Sequence, residues 1–200
     1  MKGAVMERDQ DTGRDRRRRE LLCAARDLYQ EKGLSKTSVQ DITDRVGVTR
    51  SLFYHYFDDK DAITAAVLDD YVSDYVEALS YWNERRAGGD IDQALLSLVR
   101  LTRGAILESD PFRSDLNSRE NASLYLGFID RVADHTARYI IDTTARDYQA
   151  RHRVEIDHLY ETFYMLITGV IGLLRNHPDV DDQTVADVVA QTLHIHRSQE

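Results

Sequence analysis

The chain contains very little cysteine or proline and has no long apolar run. Cys23 is its only cysteine, and 200 residues include two prolines and ten glycines. One cysteine excludes a disulfide framework, and this composition is typical of an ordered globular chain. The most apolar stretch, residues 163–174, is too short for a transmembrane helix. The N-terminus also lacks a charged start followed by an apolar stretch. We therefore predict a cytoplasmic protein that does not enter a membrane.

The sequence also lacks the short motifs of common catalytic and metal sites. It has no His-Glu-x-x-His, no paired cysteines and no phosphate-binding loop. Six histidines are candidates for catalysis, but none is spaced from a second functional residue as in a known catalytic or metal motif: His135, His152, His158, His177, His194 and His196. We therefore expect no catalytic residue, no metal and no cofactor, with an enzyme assembled from residues distant in sequence as the alternative. Cys23 lies in an apolar helical pattern and is predicted to be a buried packing residue.

Charge is divided unevenly along the chain. Residues 1–61 carry 13 basic and 12 acidic side chains, whereas residues 62–200 carry 13 basic and 23 acidic ones. The net charge of −9 therefore belongs to the second part. This asymmetry favours a local basic surface for a polyanion on the first part, while the remainder stays acidic and well solvated.

Apolar residues recur with helical periodicity, and alternation typical of strands is nowhere sustained. The fold class is therefore predicted to be all-α. We expect a disordered tail over 1–13, a small helical domain over 14–61 and a larger helical domain over 62–200. Long helices are predicted over about 59–86, 91–108, 118–146 and 155–176, followed by a last helix after Pro178.

Five arginines lie between positions 14 and 19, just before the first amphipathic helix. Such a run has two readings. It is either an arm that follows phosphates or a minor groove, or a solvated, charged start of the helix. The helix that follows should end at Gly33, where glycine provides a natural stop.

Residues 37–60 have the pattern of two short helices joined by a tight turn. Thr37 is predicted to cap the first helix, with Gln40 completing a capping box. Gly47 can end that helix, and Thr49 can cap the next one two residues later. The spacing is that of a helix-turn-helix, whose second helix enters the major groove of DNA.

The second helix carries donors and no acid. Between Arg45 and Phe57 there is no carboxylate. Phe53 and Phe57 are four residues apart and are assigned to the core. The predicted DNA-contacting residues are Thr37, Arg45, Thr49, Arg50, Ser51, Tyr54, His55, Tyr56 and Lys60. Arg50 either reads a guanine through two hydrogen bonds or binds a phosphate.

This segment closely resembles the DNA-binding domain of the tetracycline-repressor-like (TetR) family. The family pattern has a small polar residue, an aromatic pair, a second aromatic pair and a lysine. Those places are occupied by Thr49, Phe53-Tyr54, Tyr56-Phe57 and Lys60. The resemblance implies that Tyr54 and Lys60 contact phosphates, and that Thr49, Arg50 and His55 lie on or near the major groove.

Four positions depart from the family pattern. Ser51 stands where glycine is frequent, Tyr56 where histidine is frequent, and Thr43 and Val46 where alanine is frequent. Because of these departures, the operator sequence does not carry over from relatives. Ser51 also adds a side chain to the DNA-facing surface, which disfavours close approach of the backbone to DNA there.

The resemblance also implies a pocket for an inducer and a dimer interface formed by the last two helices. Polar and aromatic residues that interrupt the apolar stripes are candidates for binding a mainly apolar ligand. The alternative is that these residues are ordinary core residues. The predicted ligand-binding residues are Thr102, Tyr125, Phe128, Thr136, Tyr139 and Phe163. The predicted dimer residues are Phe163, Ile167, Val170, Ile171, Leu174, Val185, Val189 and Leu193. Gly169 and Gly172 would allow close approach of the partner.

Together these features predict a ligand-responsive repressor that binds a palindromic double-stranded DNA operator as a homodimer. Its inducer would be a small apolar or aromatic molecule. The alternatives are an activator, a regulator that responds to no ligand, and a module that sequesters a small molecule.

Overall fold

A computed structural model describes residues 13–85, 91–107, 111–146 and 156–195, with only the backbone of Leu107. These ranges are helical and contain no strand, which confirms the all-α class. The helices are α1 Gly13–Lys32, α2 Val39–Val46, α3 Arg50–Tyr56, α4 Lys60–Arg85, α5 Ile91–Leu107, α6 Pro111–Leu116, α7 Ala122–Ile140, α8 Leu159–Asn176 and α9 Asp182–Thr192. A 3₁₀ turn, Arg119–Asn121, precedes α7, and a π-helical turn, Ile141–Ala145, follows it.

The chain forms two compact units. The first contains the described residues up to Leu68 together with 111–118, so it includes α1, α2, α3, the start of α4 and the short helix α6. Helix α1 packs against both α2 and α6, and α2 packs against α3. Its buried core comes from all of these elements: Leu21, Ala25, Leu28, Tyr29, Leu34, Ile42, Phe53, Phe57, Ile63, Val67, Phe112 and Leu116.

The second unit contains the rest of α4 with α5, α7, α8 and α9. Helix α8 packs against α7 and α5, and α5 also packs against α9. One apolar cluster joins Leu95 and Val99 of α5 to Leu174 of α8 and Val185 of α9. A second cluster joins α4, α7 and α8 through Val72, Val132 and Ile171.

The predicted helix boundaries agree with the structure within a few residues, except that α6 was not predicted. The predicted domain boundary after residue 61 falls after Leu68 in the structure, and 111–118 joins the first unit. Gly13, assigned to the tail, is the first residue of α1, whereas residues 1–12 of that tail lie outside the described residues. The arginine run is therefore helical.

The prediction for Cys23 was wrong, because its side chain is exposed. The buried positions of α1 are Leu21, Ala24, Ala25, Leu28 and Tyr29. Their spacing leaves position 23 on the opposite side of the helix.

Candidate nucleic-acid interface and ligand groove

The first helix of the helix-turn-helix is capped at both ends. The Ser38 hydroxyl accepts from the Asp41 N–H at 3.2 Å, and the Ser38 N–H donates to the Asp41 carboxylate at 2.7 Å. At the other end Gly47 has a φ of +73°, and the Val48 N–H donates to the Thr43 carbonyl at 3.0 Å. Because glycine adopts this left-handed conformation without strain, α2 ends here and the chain turns into α3.

The predicted cap at Thr37 was wrong by one residue. Thr37 is only 2% exposed, and its hydroxyl donates to the Gly33 carbonyl at 2.7 Å at the end of α1. The capping box therefore consists of Ser38 and Asp41 rather than Thr37 and Gln40. Since its side chain is buried, we remove Thr37 from the set of DNA-facing residues.

Helix α3 is oriented by two buried phenylalanines. Thr49 caps it as predicted, its hydroxyl accepting from the Leu52 N–H at 3.3 Å. Phe53 and Phe57 are 0% and 4% exposed, which confirms their assignment to the core. The opposite side of the helix is exposed and consists of Arg50, Ser51, Tyr54 and His55. This surface carries hydrogen-bond donors and no carboxylate.

Two of the predicted basic contacts also have partners within the first unit. The Arg45 guanidinium donates to both carboxylate oxygens of Glu31, at 3.0 and 2.7 Å. These hydrogen bonds lower the pKa of Glu31. The Lys60 ammonium donates to the Leu34 carbonyl at 2.6 Å, and burial lowers the pKa of Lys60. Lys60 therefore fixes the start of α4, with further donors remaining on its nitrogen.

Tyr56, the remaining residue of the predicted set, is half-buried. Its ring packs edge-on against the His55 ring, with the ring centroids 5.1 Å apart. It therefore presents less surface than Tyr54, which is 48% exposed.

Sequence reasoning missed the contribution of α6 to this unit. The Phe112 ring stacks on Tyr29 with centroids 5.3 Å apart. The Asp115 carboxylate accepts from the Ser35 N–H at 2.8 Å. It also lies against Gly33, whose φ is +89°, so closely that a Cβ there would be 2.6 Å from its oxygen. Because α6 has only six residues and begins with Pro111, hydrophobic periodicity gave no signal for it.

Three predicted ligand-binding residues, Thr102, Phe128 and Thr136, lie in or against the core of the second unit. The Thr102 hydroxyl donates to the Leu98 carbonyl at 2.9 Å and is 2.9 Å from the Tyr75 hydroxyl. Burial raises the pKa of Tyr75. Tyr75 and Phe128 both pack against the second apolar cluster of this unit. Thr136 is also buried, and its hydroxyl has no hydrogen-bond partner among the residues that the structure describes.

The other predicted ligand-binding residues are not brought into that group by any observed contact. The Tyr125 ring lies 4.0 Å below the Arg175 guanidinium. Tyr139 and Phe163 are half-buried. The predicted set is therefore split between core positions and the sides of α7 and α8.

A groove of about 740 Å³ lies between α4 and α5 in the second unit. Its walls include Tyr81, Trp82 and Leu101. The Trp82 indole donates to the Ser97 hydroxyl at 2.8 Å, which fixes the ring plane. The Arg85 guanidinium lies 4.1 Å from the centre of the Tyr81 ring. None of the predicted ligand-binding residues lines this groove; the sequence signal that was available is the aromatic pair at 81 and 82.

Several predicted dimer residues instead complete the core of their own protomer. Ile171, Leu174 and Val185 are at most 4% exposed and pack in the two apolar clusters. We remove these three from the interface. Phe163 and Leu193 are half-buried. Half-buried residues that pack against the same clusters are Ile167, Val170 and Val189.

The opposite face of α8 and α9 is open. Met165 is 72% exposed and Val188 is 46% exposed. Among the described residues, a Cβ placed on Gly169 or Gly172 would meet no atom within 4 Å. Helix α8 therefore presents an exposed apolar side chain and two glycines with open space around them, and α9 presents an exposed valine.

Two kinds of site are absent from the described ranges. No three histidine, cysteine, aspartate or glutamate side chains there are grouped closely enough to hold a metal ion. No described helix combines the length and the apolarity that crossing a membrane requires.

Comparison with known sequences agrees with the geometry of the first unit. Residues 21–67 match the bacterial regulatory proteins of the tetR family. The repressor KstR2 of Rhodococcus jostii is 39% identical over 83 residues, a match that covers 40% of this chain and 41% of that protein. The repressor Rv3405c of Mycobacterium tuberculosis is 26% identical over 193 residues, covering 96% of this chain and 97% of that protein.

Solved structures share the whole fold. RolR in complex with resorcinol has a TM-score of 0.68 at 18% identity, covering 94% of this chain and 92% of RolR. A TetR-family transcriptional regulator from Pectobacterium atrosepticum has a TM-score of 0.67 at 21% identity, covering 94% and 93%. The matched segment, residues 21–67, contains the capped helix-turn-helix described above, and over this segment the chain is similar to the bacterial regulatory proteins of the tetR family.

Proposed function

We propose that the protein is a repressor that binds a palindromic DNA operator as a homodimer and releases it when a small, mostly apolar ligand binds. The observation that carries the DNA-binding part is the exposed side of α3. Arg50 and Ser51 begin that helix, and Tyr54 and His55 follow one turn later. The N-terminal residues of a recognition helix contact base edges, so Arg50 and Ser51 are the proposed base-reading residues.

Thr49, Arg45, Tyr56 and Lys60 complete the proposed contact set around that helix. Tyr54 and Lys60 are proposed to bind phosphates, which position the protein but carry no sequence information. Arg45 would have to share its guanidinium with Glu31. These residues would therefore position the protein on the DNA, while sequence specificity would depend on α3.

The groove between α4 and α5 is the proposed ligand site. Small-molecule sites combine apolar walls with a few placed polar groups. The groove has aromatic walls, and its polar lining consists of Gln93, Ser97, Asp74, Glu77 and Arg85. It lies on α4, the same continuous helix that begins at Lys60. If the ligand binds one position of α4 more tightly than another, ligand binding would therefore change the affinity for DNA. The size of that change is set by the difference between the ligand affinities of the two positions.

A second copy of the chain is the proposed occupant of the open face of α8 and α9. Half-sites of a palindrome lie about 34–36 Å apart or at multiples of that distance, and two-fold protein symmetry matches that arrangement. The four-helix interface would use Met165 and Val188 as apolar contacts, with Gly169 and Gly172 allowing the helices to approach closely.

Selection from a random DNA pool at about physiological salt tests the DNA-binding part. We expect the retained fragments to share a palindrome with turn-spaced half-sites. Retention without a shared sequence would contradict the proposal, because nonspecific phosphate binding alone gives that result. Protein with Arg50→Ala serves as the comparison, since it should select a less specific site.

Trp82 offers a direct test of the ligand site, since it is the only tryptophan in the chain and lines the groove. Small phenols, beginning with resorcinol, would be titrated while the fluorescence of Trp82 and operator binding are recorded. We expect a saturable fluorescence change that accompanies DNA release. Ala78→Phe, which fills the groove, should abolish both. Equal ligand binding by this variant would contradict the placement of the site.

A further inference from the structure

The first two turns of α1 carry arginines that the fold of the first unit does not require. Helix α1 starts at Gly13, but its first buried residue is Leu21. Residues 13–20 therefore extend about 12 Å along the helix axis before the core begins. Arg14 and Arg18 are four residues apart on this extension, so they lie on the same side of the helix, and both are exposed.

Arg14 lies in the first turn of α1, where its charge is electrostatically unfavourable within the protein itself. The N-terminus of a helix is the positive end of its dipole, where cations are destabilising. Arg16 and Arg17 are compensated by ion pairs with Glu20. Neither Arg14 nor Arg18 has a carboxylate at ion-pair distance among the described residues. Arg14 therefore opposes the dipole of its own helix, and both guanidinium groups are available to an anion from outside the protein.

Arg18 connects this extension to the recognition helix. Its guanidinium lies 5.0 Å from the centre of the Phe57 ring, and Phe57 immediately follows α3. The stack restricts the arginine while the edge of the guanidinium remains able to donate hydrogen bonds. Arg18 is therefore held at the C-terminal end of the helix whose first turn carries Arg50.

We infer that Arg14 and Arg18 form a second DNA contact, which binds the phosphates at one edge of the half-site read by α3. The partner is the backbone of duplex DNA, and the contact contributes affinity without sequence preference. This inference rests on the proposed binding of α3 to an operator. It extends the footprint of each protomer beyond the base pairs that α3 reaches.

The experiment compares wild type, Arg14→Gln/Arg18→Gln and the control Arg146→Gln on the selected operator over a range of salt concentrations. Arg146 is an exposed arginine of the second unit, paired with Asp142. Removing two phosphate contacts should reduce the slope of log K against log salt by about 1.8, since each contributes about 0.9. If the two proteins bind equally at about 1 M salt, this slope difference corresponds to roughly thirtyfold weaker binding of the double variant at about 0.15 M salt. The control should bind like wild type.

The second arm replaces phosphates at one edge and then the other edge of each half-site by neutral methylphosphonates. At one edge, neutralisation should weaken wild type about as much as the double substitution does and leave the double variant unchanged. Equal weakening of both proteins at both edges, or an unchanged salt slope in the double variant, overturns the inference.

Wild type that shows no sequence-specific retention would overturn the proposed function and this inference together. Specific retention with an unchanged slope in the double variant would overturn the inference alone. Circular dichroism melts of all three proteins complete the design. Because both substituted residues are exposed and precede the first buried residue of α1, the Tm should change only slightly, so a loss of binding is not a loss of folding.

Discussion

At the residue scale, Arg50 gives the sharpest prediction for the DNA interface. It is the first residue of α3 and is exposed in a stretch without carboxylates. If it reads a guanine, Arg50→Ala should weaken specific binding by about 1–3 kcal/mol and relax the preference at one base pair. Binding to the selected operator and to its single-base variants measures both effects. Uniform weakening across all of these sequences would assign Arg50 to a phosphate instead.

Lys60 should affect both folding and DNA binding. Its ammonium donates to the Leu34 carbonyl at 2.6 Å. Lys60→Met keeps the aliphatic stem but leaves that carbonyl without this donor, which should lower the free energy of unfolding by about 1–3 kcal/mol. If another of its donors reaches a phosphate, the salt slope should also fall by about one. Urea denaturation and salt titration separate the two roles, and an unchanged slope would restrict Lys60 to folding.

Asp41 makes the stability of the helix-turn-helix depend on pH. Hydrogen bonds from Ser38, followed by the interaction with Lys32 at 3.1 Å, hold the pKa of Asp41 well below its usual range. In the unfolded chain the pKa returns to about 3.9. The depressed folded-state pKa therefore stabilises the protein above that value, and this contribution is lost as the pH falls through the folded pKa.

Wild type should accordingly lose more unfolding free energy than Asp41→Asn between about pH 5 and pH 2. Urea denaturation at a series of pH values measures the difference. Parallel curves for the two proteins would show that this cap does not contribute to the acid dependence.

At the scale of elements, the sequence predicted what depends on local chemistry. Gly47 and Thr49 mark the turn because a left-handed glycine and a hydroxyl cap are local requirements. The cap of α2 was misplaced by one residue, since adjacent Thr37 and Ser38 both carry a hydroxyl. Their roles differ only because the carbonyl of Gly33 is within reach of Thr37. A contact of that kind depends on how α1 ends and is not visible in the local pattern.

Helix α6 likewise depends on a contact that a local sequence pattern does not show, in this case with a residue far away in the chain. Phe112 is 1% exposed and stacks on Tyr29, more than eighty residues earlier in the chain. Phe112→Ala should therefore destabilise the first unit by about 3–5 kcal/mol, through lost burial and the cavity left behind. Hydrogen exchange in peptides from residues 21–68 should accelerate. Phe163→Ala, at a half-buried position of the second unit, is the control and should leave exchange in those peptides unchanged.

At the scale of the whole molecule, the residues of α8 were correctly predicted to be helical, but two of those assigned to a dimer interface are buried in the core of the chain itself. Ile171 and Leu174 are in the protomer core, while Met165 is exposed. A helix that is apolar nearly all round must be covered on more than one side, but its pattern does not say which side meets its own protomer. That choice depends on the packing of α4, α5 and α7 around it, which is a property of the complete fold.

The open face gives the last prediction, which concerns assembly. Gly169 is exposed on α8, and a Cβ placed there would have no atom of the described part of the chain within 4 Å; the same holds for Gly104 of α5. Arginine has a higher helix propensity than glycine, so neither Gly169→Arg nor Gly104→Arg should destabilise its helix. Only Gly169→Arg places a bulky charge in the proposed interface, where the cost of burying it would oppose association.

Sedimentation equilibrium should therefore find Gly169→Arg shifted to monomer and Gly104→Arg still dimeric. The monomeric variant should bind a single half-site with unchanged sequence preference but lose the added affinity of the palindrome, because two linked sites bind more tightly than either site alone. Dimers of unchanged affinity in Gly169→Arg would place the interface on another surface of the second unit.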